Sequence, residues 1–193
     1  MESRRCPWAK STLDIEYHDN EWGKPLHDDR KLFEMLILEG MQAGLSWNTI
    51  LNKRENMKIA FDNFDPDIIV NYNDDKKEEL LLNAGIIRNK LKINSLAINA
   101  KAFLNIQTEY GSFDKYIWSF VNGEPIINSW TNMSQVPAKS DISDKMSKEL
   151  LKKGFKFVGS TICYAFMQAV GMVNDHMVFC EQYCKCKNVD NEI

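Results

Sequence analysis

Two cysteines and two histidines at opposite ends of the sequence could together hold a metal ion. Cys6 and His18 lie near the start, whereas His176 and Cys180 lie near the end, at a spacing that places both on one face of a helix. Two thiolates and two imidazoles are the donors of a closed tetrahedral zinc site, which would tie the termini together. Each half is weak evidence alone, because a lone cysteine or histidine is more often a packed core residue and other cysteines compete as ligands.

A second group of chemically suggestive residues lies between positions 16 and 47. Tyr17 and Trp22 belong to a segment dense in polar and aromatic residues, with little of the apolar filling expected of a core helix. Glu39 follows an apolar run, so it lies either on an exposed helix edge or in the interior, where a carboxylate must be paired or poised for function. Trp47 follows two glycines, which permit close backbone approach. It could belong to a functional site or could be an ordinary core tryptophan.

Residues 147–172 have the pattern of a helix, a glycine turn and a second helix. Backbone N–H groups at the start of the second helix are free to hold a phosphate, and lysines beside the turn add positive charge. This is the form of a helix-hairpin-helix, which grips the DNA backbone without reading its sequence, although glycine turns between helices are common. The candidate backbone contacts are Lys153, Lys156, Gly159, Ser160 and Thr161.

The sequence resembles the bacterial 3-methyladenine DNA glycosylase I family, the constitutive type within the helix-hairpin-helix glycosylase superfamily. The matching stretches run in order along most of the chain and are 17–23, 32–35, 38–40, 42–47, 53–56, 83–88, 118–122, 154–159 and 171–176. The resemblance implies an all-α fold in which two helical lobes flank a base pocket. It also implies one structural zinc ion per chain, bound by Cys6, His18, His176 and Cys180.

The resemblance assigns roles in the pocket residue by residue. Glu39 matches the carboxylate that hydrogen-bonds the methylated base and is the candidate catalytic residue. Trp47 matches the ring stacked on that base, Tyr17 matches an aromatic residue of the pocket wall, and Trp22 matches a tryptophan near the pocket mouth. A pocket tyrosine of many members would fall near Asp14, where this chain has no aromatic residue.

The implied activity is hydrolysis of the N-glycosidic bond of 3-methyladenine in double-stranded DNA after base flipping. No lysine is placed as a Schiff-base nucleophile, which predicts a monofunctional glycosylase without strand cleavage. Asp175 lies near the position where related glycosylases carry an aspartate that stabilises the sugar cation, but it directly precedes a metal ligand and is assigned to local structure. One alternative is a non-catalytic binding module, either a zinc-closed helical DNA binder or an interaction protein that senses alkylated nucleotides. The other is a glycosylase that prefers 3-methylguanine or 7-methylguanine.

The spacing of apolar residues is helical almost throughout and shows no convincing alternation typical of strands. Helix starts are predicted at capping residues such as Asp28, Ser46 and Asp65, the last of which precedes a first-turn proline. The predicted fold class is therefore all-α, with a loop-rich stretch over residues 122–137.

Length and composition indicate one domain over residues 1–186, followed by a disordered tail over residues 187–193. The chain has 193 residues, 44% of them apolar, and no run long enough to span a membrane. A net charge of −3 excludes a protein surface that is strongly basic throughout, but not a local basic patch. Five cysteines without regular disulfide spacing favour a reducing cytoplasm, and Cys184 and Cys186 have no assigned role. We expect a cytoplasmic monomer that acts on alkylated duplex DNA.

Overall fold

The computed structural model describes residues 4–185, which are mainly helical, so the predicted fold class is confirmed for them. The helices are α1 (Thr12–Asn20), α2 (Asp29–Gln42), α3 (Trp47–Ala60), α4 (Pro66–Ile69), α5 (Asp74–Leu82), α6 (Lys90–Tyr110), α7 (Phe113–Trp118), α8 (Asp141–Lys152), α9 (Ser160–Ala169) and α10 (Glu181–Lys185). Single 3-10 turns cover Asp62–Phe64, Ser119–Val121 and Met133–Gln135. The predicted tail and Cys186 lie outside the described residues. In the described part of the chain, no helix combines the length and apolarity needed to cross a membrane.

Side-chain caps begin the helices where the sequence predicts them. Asp28 caps α2, Ser46 caps α3 and Asp65 caps α4, and each side chain accepts a hydrogen bond from a backbone N–H of the first turn. Each cap satisfies a backbone donor that has no partner within its helix. The starts of α2 and α3 are therefore fixed by local chemistry.

The segment around Tyr17 forms a helix although its composition is unlike that of a core helix. A reciprocal capping box starts α1, because Ser11 and Asp14 each accept a hydrogen bond from the backbone N–H of the other. Only Tyr17 and His18 are buried in this helix, which explains its low apolar content. The helix thus presents two buried side chains inward, and its other residues are partly buried or exposed.

The helix α2 lies at the centre of the fold. Nine of its 14 residues are buried, and it packs against α3, α6, α7 and α9. The adjoining core is aromatic, with ring centroids 4.9 Å apart for Phe33 and Phe103 and 4.5 Å apart for Phe103 and Phe113. Because α2 is enclosed on several sides, a polar residue near its C-terminal end is carried into the interior.

A short parallel ladder departs from the expectation that the chain has no strands. The strands β1 (Ile126–Ile127) and β2 (Val173–Asn174) pair residue by residue. Two residues are too few to produce the alternation by which strands are recognised in a sequence. The ladder holds the loop-rich stretch against the segment that leads into His176.

The N-terminal part of the chain is docked onto the end of α9 through Gly171. The N–H of Gly23 donates to the carbonyl of Gln168, and that of Leu26 donates to the carbonyl of Val170, both at 3.1 Å. Gly171 has a φ of +74°, and a Cβ there would lie 2.3 Å from the carbonyl carbon of Lys24. Only glycine permits this approach of two backbones.

We expect Gly171→Ala to destabilise the protein far more than Gly123→Ala. Both glycines have a positive φ, but a Cβ at Gly123 meets nothing within 4 Å. The control change should therefore cost about 1 kcal/mol through backbone strain alone, whereas the clash at Gly171 should add several kcal/mol. Urea denaturation of both variants measures the difference, and equal losses would show that the close approach is not required.

Candidate active site

Four helices and the N-terminal segment enclose a cavity of about 250 Å³. Its walls come from α1, α2, α3 and α9, so residues distant in sequence converge on it. The lining residues are Trp8, Tyr17, Trp22, Glu39, Gln42, Trp47, Ala165 and Gln168. All four pocket residues predicted from the sequence are among them, whereas Leu13 and Asp14 are not. The cavity has aromatic walls and a few polar groups, as ligand sites commonly do.

Glu39 is buried near the C-terminal end of α2, with only 4% of its surface exposed. The alternative of an exposed helix-edge glutamate is therefore wrong. Burial raises the pKa of this carboxyl to about 8, because the charged form loses its hydration. Its Oε2 atom has no hydrogen-bond partner within residues 4–185. A buried acidic group without a partner is poised to interact with a ligand.

Two further buried polar atoms of the cavity also lack a partner in the described residues. They are the hydroxyl of Tyr17 and the indole Nε1 of Trp47, whose rings lie 5.2 Å apart between centroids. Burial, followed by the nearby charge of Glu39, raises the pKa of Tyr17, so its hydroxyl remains a donor. Each unsatisfied atom costs about 1–3 kcal/mol. Three such atoms around one cavity indicate a site built to bind a polar, planar molecule.

An aromatic wall that includes Trp8 separates the cavity from the Cys/His cluster. Trp8 and Trp22 meet edge to face with centroids 5.0 Å apart, and Trp22 lies 4.6 Å from the ring of His176. Trp8 was not predicted as a pocket residue, although it lies only two residues after the predicted metal ligand Cys6. Gln42 was also missed, and its position three residues after Glu39 on α2 places it on the same helix face.

A single guanidinium connects the three helices that carry the predicted pocket groups. Arg54 of α3 bonds to Glu21, the C-cap of α1, at 2.8 Å and to Glu34 of α2 at 2.8 Å. The pair with Glu34 is largely buried and is therefore less screened than a surface pair, whereas Glu21 is exposed. The network therefore links α2 and α3 to the end of α1, the helices that carry Glu39, Trp47 and Tyr17.

The four predicted metal ligands converge into one buried cluster. Their ligating atoms all lie within 4.8 Å of one another, and each residue is buried. His18 Nε2 lies 3.5 Å from Cys180 Sγ, while His176 Nδ1 lies 3.6 Å from both sulfurs. A tetrahedral metal with sulfur bonds of about 2.3 Å and nitrogen bonds of about 2.0 Å separates S and N by about 3.6 Å. The cluster therefore has the donors and the spacing to bind a metal.

The outer partners of both imidazoles leave the required lone pairs directed into the cluster. His18 Nδ1 donates to Asp19 at 2.7 Å, and His176 Nε2 donates to the carbonyl oxygen of Trp22 at 3.1 Å. A carbonyl or carboxylate oxygen only accepts, so the other ring nitrogen of each histidine is unprotonated when the ring is neutral. Arg5 holds Asp19 in turn. Cys184 is exposed and does not join the cluster.

A hydrogen bond between the two thiols favours the ionisation of Cys180 and disfavours that of Cys6. Their mutual hydrogen bond is the largest cause both of the raised pKa of Cys6 and of the lowered pKa of Cys180. The buried pair therefore favours one thiolate and one thiol, and a cation bound between the sulfurs would favour the ionisation of both.

A family model described as methyladenine glycosylase matches residues 8–183 of the chain. That match covers the cavity and most of the cluster. The chain belongs to the methyladenine glycosylase family. Its enzymes hydrolyse N-glycosidic bonds, and the predicted resemblance is confirmed.

Several proteins similar to this glycosylase are known. DNA-3-methyladenine glycosylase 1 of Escherichia coli (strain K12) is 50% identical over 177 residues, which cover 91% of this chain and 95% of that one. A crystal structure of 3-methyladenine DNA glycosylase I, 50% identical, has a TM-score of 0.90 and covers 92% of this chain and 98% of its own. A variant crystallised with 3-methyladenine is 34% identical, with a TM-score of 0.88 and coverage of 90% and 94%.

The candidate DNA contacts of the glycosylase lie on the hairpin formed by α8, α9 and the turn over residues 153–159. Asn99 of α6 holds the turn, because its side chain exchanges two hydrogen bonds with the backbone of Lys156. The N-cap Gly159 offers no side chain to the first N–H groups of α9, and Thr161 is exposed. Ser160 Oγ lies 3.0 Å from Ser143 Oγ of α8.

The two candidate lysines of the hairpin differ in their surroundings. Lys156 is exposed and forms no ion pair within the described residues. Lys153 Nζ instead bonds to Glu109 at 2.6 Å and lies 4.9 Å from the ring centroid of Tyr110. Its positive charge is thus shared with an acid of α6, which sequence spacing could not reveal.

Asp175 is buried beside the cluster and accepts four hydrogen bonds. The donors are Asn128, Trp130, Tyr164 and Gln168, each at 2.7–2.8 Å. Every donor belongs to the protein, so the carboxylate is occupied in holding local structure, in agreement with the sequence-based assignment.

Glu39→Gln should raise the stability of the glycosylase by an amount that grows with pH. The folded pKa of about 8 lies above the ordinary value of 4.5, so the folded state binds more protons. Wild-type stability therefore falls between these pH values, whereas glutamine does not titrate. The gain should rise from about pH 4.5, level off above pH 8 and have a ceiling of about 5 kcal/mol.

Urea denaturation at intervals from pH 5 to pH 9 measures this gain. Glu16→Gln, at an exposed position of α1, is the matched control and should show no such trend. A gain for Glu39→Gln that does not change with pH would contradict the buried, uncompensated carboxyl.

Proposed function

We propose that this enzyme excises 3-methyladenine from alkylated double-stranded DNA as a monofunctional glycosylase. The observation that carries the proposal is the set of three unpartnered buried polar atoms, on Tyr17, Glu39 and Trp47, around a cavity with aromatic walls. A flipped-out purine can supply both the polar edge and the flat face that these groups lack. The binding of 3-methyladenine by a relative supports the same assignment.

The chemistry of the lesion explains why so few residues suffice. Methylation at N3 gives adenine a positive charge, so its N-glycosidic bond is already weakened. The electron-deficient ring is attracted to the faces of Trp47 and Tyr17, much as a cation is attracted to an aromatic ring. The bonding electron pair leaves with the base and neutralises it, and water adds to the sugar carbon and loses a proton.

In this proposal Glu39 accepts a hydrogen bond from the edge of the extruded base. A cationic base beside Glu39 lowers the pKa of its carboxyl and restores the charged form. The carboxylate then stabilises the positive charge that the lesion and the developing sugar cation share. Unmethylated bases lack this charge, so the site favours alkylated ones.

The absence of strand cleavage is part of the proposal. No lysine lines the cavity within residues 4–185. Lys92 is buried close to the end of α2, but its Nζ atom donates to the carbonyls of Met41 and Ala43 at 2.8 Å and 2.7 Å. An amine held in this way is not available to attack the sugar, which supports a single hydrolytic step.

We assign DNA-backbone contacts to the hairpin, as a helix-hairpin-helix. The open start of α9, from Gly159 through Ser160 and Thr161, would receive a phosphate, with Lys156 beside it. Lys153 would contact DNA only by exchanging Glu109 for a phosphate. Gly40 of α2 lies against the hairpin turn, since a Cβ there would lie 3.3 Å from Phe157 Cβ. This contact connects the hairpin with the helix that carries Glu39.

We propose that the Cys/His cluster holds one structural zinc ion per chain. Two sulfurs and two imidazole nitrogens in tetrahedral spacing leave no open position for a substrate, so the metal would stabilise the fold rather than act in the reaction. We further propose that residues 1–186 act as one domain, and that the enzyme is a monomer in the reducing cytoplasm, where thiols persist.

Metal analysis of the purified protein should give about one zinc per chain. Cys180→Ser should lose the metal and lower the melting temperature, because metal binding contributes directly to folding stability. Cys184→Ser, at an exposed cysteine outside the cluster, is the control and should change neither quantity. A metal-free wild-type protein, or a Cys180→Ser variant that retains zinc, would remove this proposal.

Glu39→Gln should reduce 3-methyladenine excision about a hundredfold without loss of folding, because a preorganised electrostatic group is removed from the site. The assay is chromatographic detection of the free base released from methylated duplex DNA, with Glu16→Gln as the control. If wild-type protein binds this DNA but releases no base, the chain is a binder and not an enzyme. Wild-type rates in Glu39→Gln would remove the role of the carboxyl.

A further inference from the structure

Gln168 lines the cavity but has no part in the function proposed above. It lies on α9, half-buried, in the wall formed with Ala165. Its Nε2 atom donates to Asp175 Oδ2 at 2.8 Å. A carboxylate oxygen only accepts, so the amide nitrogen must face Asp175, and the amide oxygen is the polar atom left for the cavity.

The orientation of this amide is set by a fully occupied carboxylate. Asp175 Oδ1 accepts from Asn128 Nδ2 and Trp130 Nε1, while Oδ2 accepts from the Tyr164 hydroxyl and from Gln168, all at 2.7–2.8 Å. Four donors fix the carboxylate, and the carboxylate fixes the amide of Gln168. The Oε1 atom has no partner within residues 4–185 and is not fully enclosed. It is therefore a preorganised acceptor in the cavity wall.

We propose that Gln168 is a specificity-determining residue, whose amide oxygen accepts a hydrogen bond from the exocyclic amino group of an extruded adenine lesion. The inference rests on the proposed function and deepens it by naming what selects adenine over guanine. The amino group has two hydrogens, so Glu39 and Gln168 can each accept one. Guanine carries the acceptor O6 where adenine carries this amino donor, so Gln168 Oε1 repels a guanine lesion.

Asp175 acts as a positioning residue, and its amide variant makes a directional prediction. In Asp175→Asn the oxygen must stay at the Oδ1 position, because the indole of Trp130 can only donate. The new NH₂ group therefore takes the Oδ2 position, where Tyr164 can accept from it. The amide of Gln168 must then rotate to accept as well, which turns its NH₂ group toward the cavity. A donor there matches O6 of guanine and opposes the amino group of adenine.

The test measures the ratio of 3-methyladenine to 3-methylguanine released, with poly(dA·dT) and poly(dG·dC) duplexes methylated by dimethyl sulfate as substrates. Gln168→Leu removes the acceptor, so the ratio should fall about tenfold, as expected for one lost discriminating hydrogen bond. Asp175→Asn should lower it further, because the acceptor becomes a donor. Glu16→Gln, at an exposed position of α1, is the control and should leave the ratio unchanged.

The outcomes separate this inference from the function on which it rests. Wild-type protein that releases no 3-methyladenine refutes the proposed function itself. Wild-type activity with an unchanged ratio in Gln168→Leu overturns the role of Gln168, including the case in which both lesions lose activity equally. If Asp175→Asn folds and keeps the wild-type ratio, the amide is not set by Asp175. If it fails to fold, Gln168→Leu alone decides.

Discussion

The pocket lies where two distant parts of the chain meet, beside a cluster of four side chains. Cys6 and His18 bring the N-terminal segment against His176 and Cys180, and their ligating atoms lie within 4.8 Å of one another. Trp8 and Trp22 form the wall between this cluster and the cavity, and Ala165 and Gln168 of α9 also line the cavity. Without that closure, the walls of the cavity would belong to separate parts of the chain.

Several features of the site oppose folding, and the packing around the central helix α2 compensates for them. Glu39 is desolvated, and its Oε2 atom, the Tyr17 hydroxyl and Trp47 Nε1 have no partner in the described residues. Folded proteins are stable by only about 5–15 kcal/mol, so such groups persist only where the surrounding packing is strong. The aromatic core around Phe33 and Phe103 provides that packing. In the proposed function, a cationic base that binds in the cavity offsets this unfavourable desolvation.

Residue types and local spacing predict much of the fold and part of the site. Helix starts at Asp28 and Ser46 follow from capping, which depends on neighbours three residues away. The burial of Glu39 could not be decided locally, because an apolar run is compatible with an exposed or an enclosed end. Family resemblance, rather than periodicity, favoured the enclosed one.

What the sequence could not predict depends on contacts between distant residues. The pairing of Lys153 with Glu109 joins two helices whose relative placement has no local signal. The orientation of the Gln168 amide likewise depends on a carboxylate held by residues of a loop and of α9. The ladder of β1 and β2 is too short to leave a pattern.

The bonds from Arg54 to Glu21 and Glu34 have a consequence for how the lesion range of this enzyme can evolve. Because Arg54 of α3 bonds to α2 and to the end of α1, a displacement of one of these helices disturbs its bonds to the others. Ala165 and Gln168 of α9 stand outside this linkage. Gradual change of substrate is therefore easiest along α9, where a new side chain can alter the pocket without remodelling the frame that holds the acid.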